Sequence, residues 1–588
     1  MMLHSLQAPI LLCPDILVEI LNHLHPGRCS PQETEKVRES RLACRRALRA
    51  SALTCHTLYD LALDVLWRAL DDMHPLLHLL PRNKRHDPTI VLKSRITPET
   101  WMKLQRYATR VREIGSSPRL FKAHQSVWQF LAMECKGSPL LPRLSGLDAL
   151  GLSSDDLPAL FLLLSPSVRS LSLSFKGDSW PYDTTSDIAA VALHYIAQTA
   201  PGIKSFHMSG FHLFSGTHLS ALQNLAVLTE LSLGSNFPLN GALLRQLSMT
   251  SSLNALTIAI CGIDSTDLQS LSDGFRSLHN LTIRGDLEHL VNFILACRLP
   301  CLDGLTLQTN DFAEAKQFRA RLASICEHPG LPRTLTRIGC EFFSDTTPSF
   351  CDADLIRLGD AWANLQHLDV RRHPVSPPTW HYPYVGLEYR DGTERTPRRP
   401  APTLFGLLEL TRRCPALGHV HLPELDASTL PQSNASRPRG HPIREISFDS
   451  IRYAPSSSNP CAVADVLDLA FPRLDVSLSI SEAARNCDLR PGERVDSRWG
   501  DVLKFVRAMQ LRRGHLASDP GAEAGGDGFA ASTKRPAHLD SEGSKTDASF
   551  SSLDSDSDSE SESDSGSGST SDTDCESEGS GGDVDAEW

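Results

Sequence analysis

The chain has 588 residues, with 58 Lys and Arg against 70 Asp and Glu, for a formal net charge of −12. Thirteen of the carboxylates lie between residues 550 and 588, which hold no Lys or Arg, so the rest of the chain is near +1. A near-neutral body argues against a nucleic-acid-binding surface of the usual strongly basic kind. No segment reaches the ~18 apolar residues of a membrane span. The 15 scattered cysteines, in a chain long enough for a large core, read as reduced residues of a cytoplasmic or nuclear protein.

The first predicted element is a helix starting near Pro14, since a first-turn proline loses no hydrogen bond. Ile16, Leu17, Ile20, Leu21 and Leu24 then fall at i, i+1, i+4, i+5 and i+8, a narrow apolar face. Asp15 and Glu19 break the apolar run that begins at Ile10, which excludes a signal peptide. Ser30-Pro31-Gln32-Glu33 signals a second helix start. Helical character continues from Thr34 toward Trp67, with Leu58, Leu61, Ala62, Val65 and Leu66 on one side. Short helices within ~60 residues can hardly hold a core alone, which implies a partner.

At these positions the chain resembles an F-box, whose opening pattern is Leu-Pro-x-Glu-Ile-Leu-x-x-Ile-Phe-x-x-Leu. With the unspecified position after its Pro omitted, Pro14, Ile16, Leu17, Ile20 and Leu24 match it, while Cys13, Asp15 and Leu21 replace Leu, Glu and Phe. Ala52 to Cys55 and Ala62 to Trp67 are similar to the closing helices of fungal F-box proteins, with an insertion around residues 25–49. Trp101 to Tyr107 with Val111, Leu410 to Leu417 and the unit at Ile443 are similar to the repeat regions of those families. The resemblance covers roughly residues 10–510. It implies a Skp-type adaptor bound through Pro14, Ile16, Leu17, Ile20, Leu21, Leu24 and Trp67. Through the adaptor would come a cullin-RING ubiquitin ligase, with the repeats holding an unknown protein substrate.

From the middle of the chain a unit Leu-x-x-Leu-x-Leu recurs, beginning at Leu228, Leu253, Leu278 and Leu302, that is, at steps of 25, 25 and 24 residues. With looser spacing it extends to Val168 and Ile203 before that block and to Leu335, Leu365, Leu417 and Ile443 after it. Between units the period becomes helical, as in Leu287, Leu290, Val291, Ile294 and Leu295, or Leu355, Leu358 and Trp362. A short apolar strand and a helix repeating every 20–29 residues predict a leucine-rich-repeat solenoid. The expected fold is therefore α/β: a helical F-box-like module over 8–70, a helical linker or cap over 71–140, the solenoid over 141–513, and a disordered acidic tail over 514–588. Pro374 to Pro402, with Trp380, Tyr382, Tyr384, Tyr389, Arg395, Arg398 and Arg399, reads as an insertion between two repeats.

Alternate residues of each strand face opposite ways, so small polar residues such as Ser170, Ser172, Ser205, His207, Ser232 and Thr257 fall on the concave side early in the solenoid. Charge and imidazole gather later, and Arg284, Gln308, His367, Asp369, Arg371, His419 and His421 are the expected substrate-contacting residues. The i,i+4 pair His74 and His78 and the pair Cys297 and Cys301 lack the further ligands of a zinc site, and no metal or cofactor is expected. Asn280 and Asn434 fit the glycosylation pattern but should stay bare without a secretory signal. Ser555, Ser557, Ser559 and Ser561 each precede a carboxylate by three residues, the spacing acidophilic kinases favour. No nucleophile or carboxylate pair stands out, so the expectation is a non-catalytic substrate receptor; a repeat scaffold unconnected with ubiquitination is the alternative.

Overall fold

The computed structural model describes residues 13–27, 35–81, 90–92, 95–115, 123–175, 185–210, 218–234, 241–260, 274–309, 315–343, 350–373, 400–431, 441–453, 460–477 and 497–517, with positions 239, 263, 268, 271 and 479. Among them, thirteen strands form one parallel sheet in strict chain order. They are β1 (Ala69–Leu70), β2 (Glu113–Ile114), β3 (Gly146–Leu152), β4 (Ser170–Phe175), β5 (Ser205–Ser209), β6 (Glu230–Leu233) and β7 (Ala255–Ile260). After these come β8 (Asn280–Gly285), β9 (Gly304–Thr309), β10 (Arg337–Phe343), β11 (His367–His373), β12 (His419–Asp426) and β13 (Glu445–Arg452). Each strand pairs only with the units before and after it, which defines a solenoid.

Ahead of the sheet stand α1 (Pro14–His23), α2 (Glu35–Ala52) and α3 (His56–Arg68). Helices between and after the strands are α4 (His74–Leu77), α5 (Pro98–Ala108), α6 (Gln125–Cys135), α7 (Leu157–Leu163), α8 (Thr185–Thr199) and α9 (Gly241–Ser248). The series continues with α10 (Leu287–Ala296), α11 (Ala315–Glu327), α12 (Asp352–Ala361), α13 (Leu404–Arg413), α14 (Pro460–Ala470) and α15 (Ser497–Ala517). The helical stretch expected from Thr34 toward Trp67 is thus two helices, broken at Leu53-Thr54-Cys55, where Leu53 and Thr54 turn back on Ala50 and Ser51.

All ten units traced in the sequence became strands, β4 to β13. Their first apolar residue is buried just ahead of the strand and the next two are buried within it, as in Leu253, Leu256 and Ile258, or Leu278, Leu281 and Ile283. A backbone device repeats with them. The carbonyl one residue before a strand accepts two successive N–H groups of the following unit: Thr229 O from Asn254 and Ala255, Asn254 O from His279 and Asn280, His279 O from Asp303 and Gly304. The same fork continues as far as Gly418 O, which takes Arg444 and Glu445, and Asp475 N–H donates to Arg444 O one unit further on. The sheet also begins earlier than the sequence suggested. β1 and β2 have two residues each and β3 is irregular near Leu152, too short or too uneven for an alternating pattern to register.

Behind the sheet the interior is one continuous apolar cluster from Leu70 to Val506. Leu287, Leu290, Val291 and Ile294 of α10 join it, whereas Leu295 points outward. Trp499 of α15 meets Phe448 of β13 edge to face at 4.9 Å, covering the last strand. Asp352 ties α12 to α13: its carboxylate accepts from Thr403 N–H and Oγ1 at 2.6 and 2.7 Å, and Thr403 caps α13 through the N–H groups of Phe405 and Gly406. A Cβ at Gly406 would collide with that carboxylate. This clasp holds the returning end of the expected insertion, of which residues 374–399 lie outside the described residues, as does the acidic tail with Ser555 to Ser561.

Register makes a stability prediction. Leu256 and Leu281 are buried between neighbouring units while Thr257 and Thr282 on the same strands are not. Leu256→Ala or Leu281→Ala should therefore cost about 2–5 kcal/mol, and Thr257→Ala or Thr282→Ala less than about 0.5 kcal/mol, measured by denaturant midpoint. The reverse order would mean the strands face the other way.

Candidate functional site

Two faces can meet a partner: the outer side of the N-terminal helices and the solvent side of the sheet. Leu21, Leu48, Ala52, Ala62 and Val65 form a small core of their own among α1, α2 and α3. With Leu21 only 4% exposed, the opposite side of α1 is turned out, leaving Ile16 41% and Ile20 50% exposed. Pro14 is exposed and Leu17 and Leu24 are half-buried. One of the expected adaptor-contacting residues, Leu21, faces inward as the helix's anchor. Half-buried Trp67 lies 4.5 Å from the Tyr107 ring at a 39° tilt, against the solenoid core, tying α3 to α5.

This module is fastened to the solenoid by charge as well as packing. α3 ends at Arg68 and β1 starts at Ala69, with no linker between them. Just past β1, the Asp71 carboxylate accepts from Arg41 at 2.6 and 2.7 Å and from Arg45 at 2.7 and 2.9 Å, both on α2. Burial raises the Asp71 carboxyl pKa, but the hydrogen bonds from Arg45 and Arg41 outweigh it and hold the group below its ordinary value. Arg68 donates to Asn22 Oδ1 at 3.0 Å, and Arg110 on the solenoid side bonds Asp60 and Asp64 of α3. The exposed apolar side of α1 consequently has a set position relative to the sheet.

On the sheet, in-register pairing lines residues up in rows that cross the strands. One row runs Ser172, His207, Ser232, Thr257, Thr282, Thr306, Gly339, Asp369, His421, Ser447. The next runs Ala259, Arg284, Gln308, Glu341, Arg371. The structure does bring the charged residues expected from sequence together, and it joins others to them. Asp369 and Arg371 pair at 2.7 Å. Gln308 donates to Glu341 at 2.8 Å, His373 sits 3.6 Å from the same carboxylate, and Phe343 lies stacked between His373 and the Arg284 guanidinium, 4.5 Å above its ring. Arg337 reaches over Gly304 to Asn280. His419 is 3.2 Å from Glu445, and its ring is 5.9 Å from that of His367. Burial, His419 and Arg337 together keep His367 below the usual imidazole value.

His421 does not reach the surface. It is 0% exposed and its Nε2 lies 3.3 Å from the Asp449 carboxylate. Arg337, Glu341, Phe343 and His373 were not among the expected site residues, although extending the alternation along β10 and β11 would have found them. Elsewhere, His74 and His78 meet at 2.6 Å through their Nε2 atoms, but among the described residues no three His, Cys, Asp or Glu side chains converge on a metal position. Burial pushes the thiols of Cys297, Cys326, Cys340 and Cys414 up to about 12, so they are core packing and not nucleophiles.

No family model matches the chain, and no curated protein matches it. A chain of a solved structure described as the "Crystal structure of Rad7 and Elc1 complex in yeast" aligns with a TM-score of 0.31 and 14% identity, over 62% of this chain and 90% of that one.

The Asp71 clasp sets a pH dependence. Its folded pKa lies below the unfolded one, so its stabilisation is full above the ordinary carboxylate value of ~3.9 and is lost as pH falls from there toward the folded pKa. Asp71→Asn should lower the melting temperature at pH 7, because Arg41, 6% exposed, and Arg45 both lose their bond to a charged Asp71 carboxylate. The gap from the unsubstituted chain should narrow below about pH 4. A gap that persists undiminished at the acid end would show that Asp71 acts by shape and not by charge.

Proposed function

We propose that this chain is the substrate-recognition subunit of a Skp-cullin-F-box ubiquitin ligase, itself without catalytic activity. The N-terminal helices would dock on a Skp-type adaptor and the repeats would hold the protein to be ubiquitinated. The observation that carries the reading is the outward apolar side of α1. Isolated exposed apolar residues need no explanation, but Ile16 and Ile20, one helical turn apart beside exposed Pro14, sit on a module whose own core is a handful of residues. These are the positions at which the sequence resembles an F-box. A solenoid behind the module supplies a long strand-lined surface of the kind repeat proteins use for binding. The described cysteines are free, which favours a reducing compartment, cytoplasm or nucleus.

The test exploits exposure. Because Ile16 and Ile20 are turned out, Ile16→Asp with Ile20→Asp should leave the far-UV circular dichroism and melting temperature within the range of surface changes, about 0.5 kcal/mol. The same pair would bury two carboxylates in an apolar contact, and recovery of a Skp-type adaptor on affinity purification from native cells should vanish. Undiminished adaptor recovery would overturn the docking surface. Absence of adaptor and cullin from the unsubstituted chain as well would favour the scaffold.

A further inference from the structure

We infer that the stretch of the solenoid holding the partner is kept almost free of lysine, so that ubiquitin passed to a bound protein is not passed to the receptor itself. This rests on the receptor reading above and deepens it, since the surface that would bind the substrate is itself closed to the reaction.

The basic residues divide unevenly along the chain. It has 12 Lys and 46 Arg, but residues 205–503, from the first residue of β5 into α15, hold one Lys, Lys316 on α11, against 26 Arg. The other 289 residues hold 11 Lys and 20 Arg. Positive charge is thus retained over β5 to β13 while the amine is removed. The charged residues expected to contact a substrate, from Arg284 to His421, all fall inside this stretch. Exposed lysines stand on either side of it: Lys36 on α2, Lys103 on α5, Lys136 after α6, Lys204 just ahead of β5 and Lys504 on α15.

The fold explains some of these arginines and not others. A guanidinium meets carboxylates with a planar set of donors that an ammonium does not reproduce. Such pairing accounts for Arg371 on Asp369, Arg413 between Asp360 and Glu409, and Arg452 on Glu424. Arg298, Arg444 and Arg473 are different: they are exposed, and among the described residues their side chains have no hydrogen-bond or ionic partner. A lysine at these positions would carry the same charge into water, so pairing does not select the guanidinium there.

What separates the two side chains at such positions is reactivity. Ubiquitin reaches its acceptor as a thioester on a cysteine of a conjugating enzyme. A neutral lysine amine attacks the thioester carbonyl; the N–C bond forms, the C–S bond breaks, and the departing thiolate takes up the proton lost from nitrogen. An arginine stays protonated, with a pKa of ~12.5–13.8, and does not attack. A lysine fixed on the receptor would remain in the assembly through every turnover, at about the millimolar effective concentration of a tethered group, whereas a substrate lysine is present only while the substrate is bound. Receptor amines beside the substrate would therefore outcompete it. Lysine is retained on α2 and α5, toward the docking module, and removed from β5 to β13, where the thioester must reach.

The test assembles the full chain with a Skp-type adaptor, a cullin-RING ligase and a conjugating enzyme charged with ubiquitin. Ubiquitin on the receptor itself is read by denaturing gel and by mass spectrometry of modified lysines. Arg298→Lys, Arg444→Lys and Arg473→Lys together should raise self-modification about threefold or more, with ubiquitin on at least one of the three new amines. Arg38→Lys, Arg46→Lys and Arg49→Lys, at exposed positions of α2, add the same number of amines outside the stretch and should change it less than about twofold. Every substitution keeps its charge, circular dichroism checks folding, and Arg412→Lys, exposed on α13, replaces any of the first three that fails it. Absence of ubiquitin from the new amines of the solenoid, or an equal rise from the α2 set, would overturn the inference. An assembly that does not form overturns the receptor reading and this inference with it. One that forms and leaves the new lysines unmodified overturns this inference alone.

Discussion

From β3 onward the units of this solenoid depend on the same arrangement, a strand with apolar residues buried against its neighbours while its backbone is forked onto the unit before. Neither half suffices. Parallel pairing satisfies main-chain groups but gives no preference between the two faces of a strand. Burial of Leu256 and Ile258, or of Leu281 and Ile283, supplies that preference and is worth roughly 1.5–3 kcal/mol per side chain. The double acceptor before each strand then sets the register, because Asn254 O can hold both His279 and Asn280 N–H only when β7 and β8 are aligned residue for residue. Rows of side chains on the opposite face follow from this register.

The same logic explains why the N-terminal helices can belong to the solenoid and still present an apolar surface. Their own core is small, and a module of that size would be marginal alone. It borrows rigidity from the first strand, which grows directly from α3, and from Asp71, which draws Arg41 and Arg45 of α2 onto the start of the sheet. Desolvating a carboxylate and a nearly buried guanidinium costs free energy, which for the Asp71 carboxylate the hydrogen bonds from Arg45 and Arg41 outweigh. What the contact secures is orientation: α1 keeps Ile16 and Ile20 outward because Leu21 and Asn22 are held from the other side.

How much of this was legible beforehand divides by length scale. A strand of four or more residues with its apolar period prints itself in the sequence, so β4 to β13 were readable from leucine spacing alone. β1 and β2 were not, since two residues carry no period and their pairing depends on Arg112 N–H meeting Arg68 O across a gap in sequence. On α1 the apolar residues were readable but not their destinations. Leu21 and Ile20 are adjacent and equally apolar, and only the packing of α3 decides that one is anchor and the other surface. The contact of Trp67 with Tyr107 was not legible for the same reason, since Tyr107 lies on a different helix.

On the sheet, the sequence shows which residues carry charge but not which of those charges are already paired. A charged residue marks a binding surface only if its charge is available, and availability is decided by neighbours one strand away. Parallel in-register pairing places Glu341 beside Gln308, and Glu445 beside His419, at the spacing of adjacent strands, so opposite polarities at equivalent positions of successive units must meet. The repeat therefore converts a cluster of charges in sequence into a set of closed pairs in space. It leaves the hydroxyls of Ser232, Thr257, Thr282 and Thr306 apart, because like hydroxyls in register, each held on a short side chain a full strand spacing from the next, cannot reach one another.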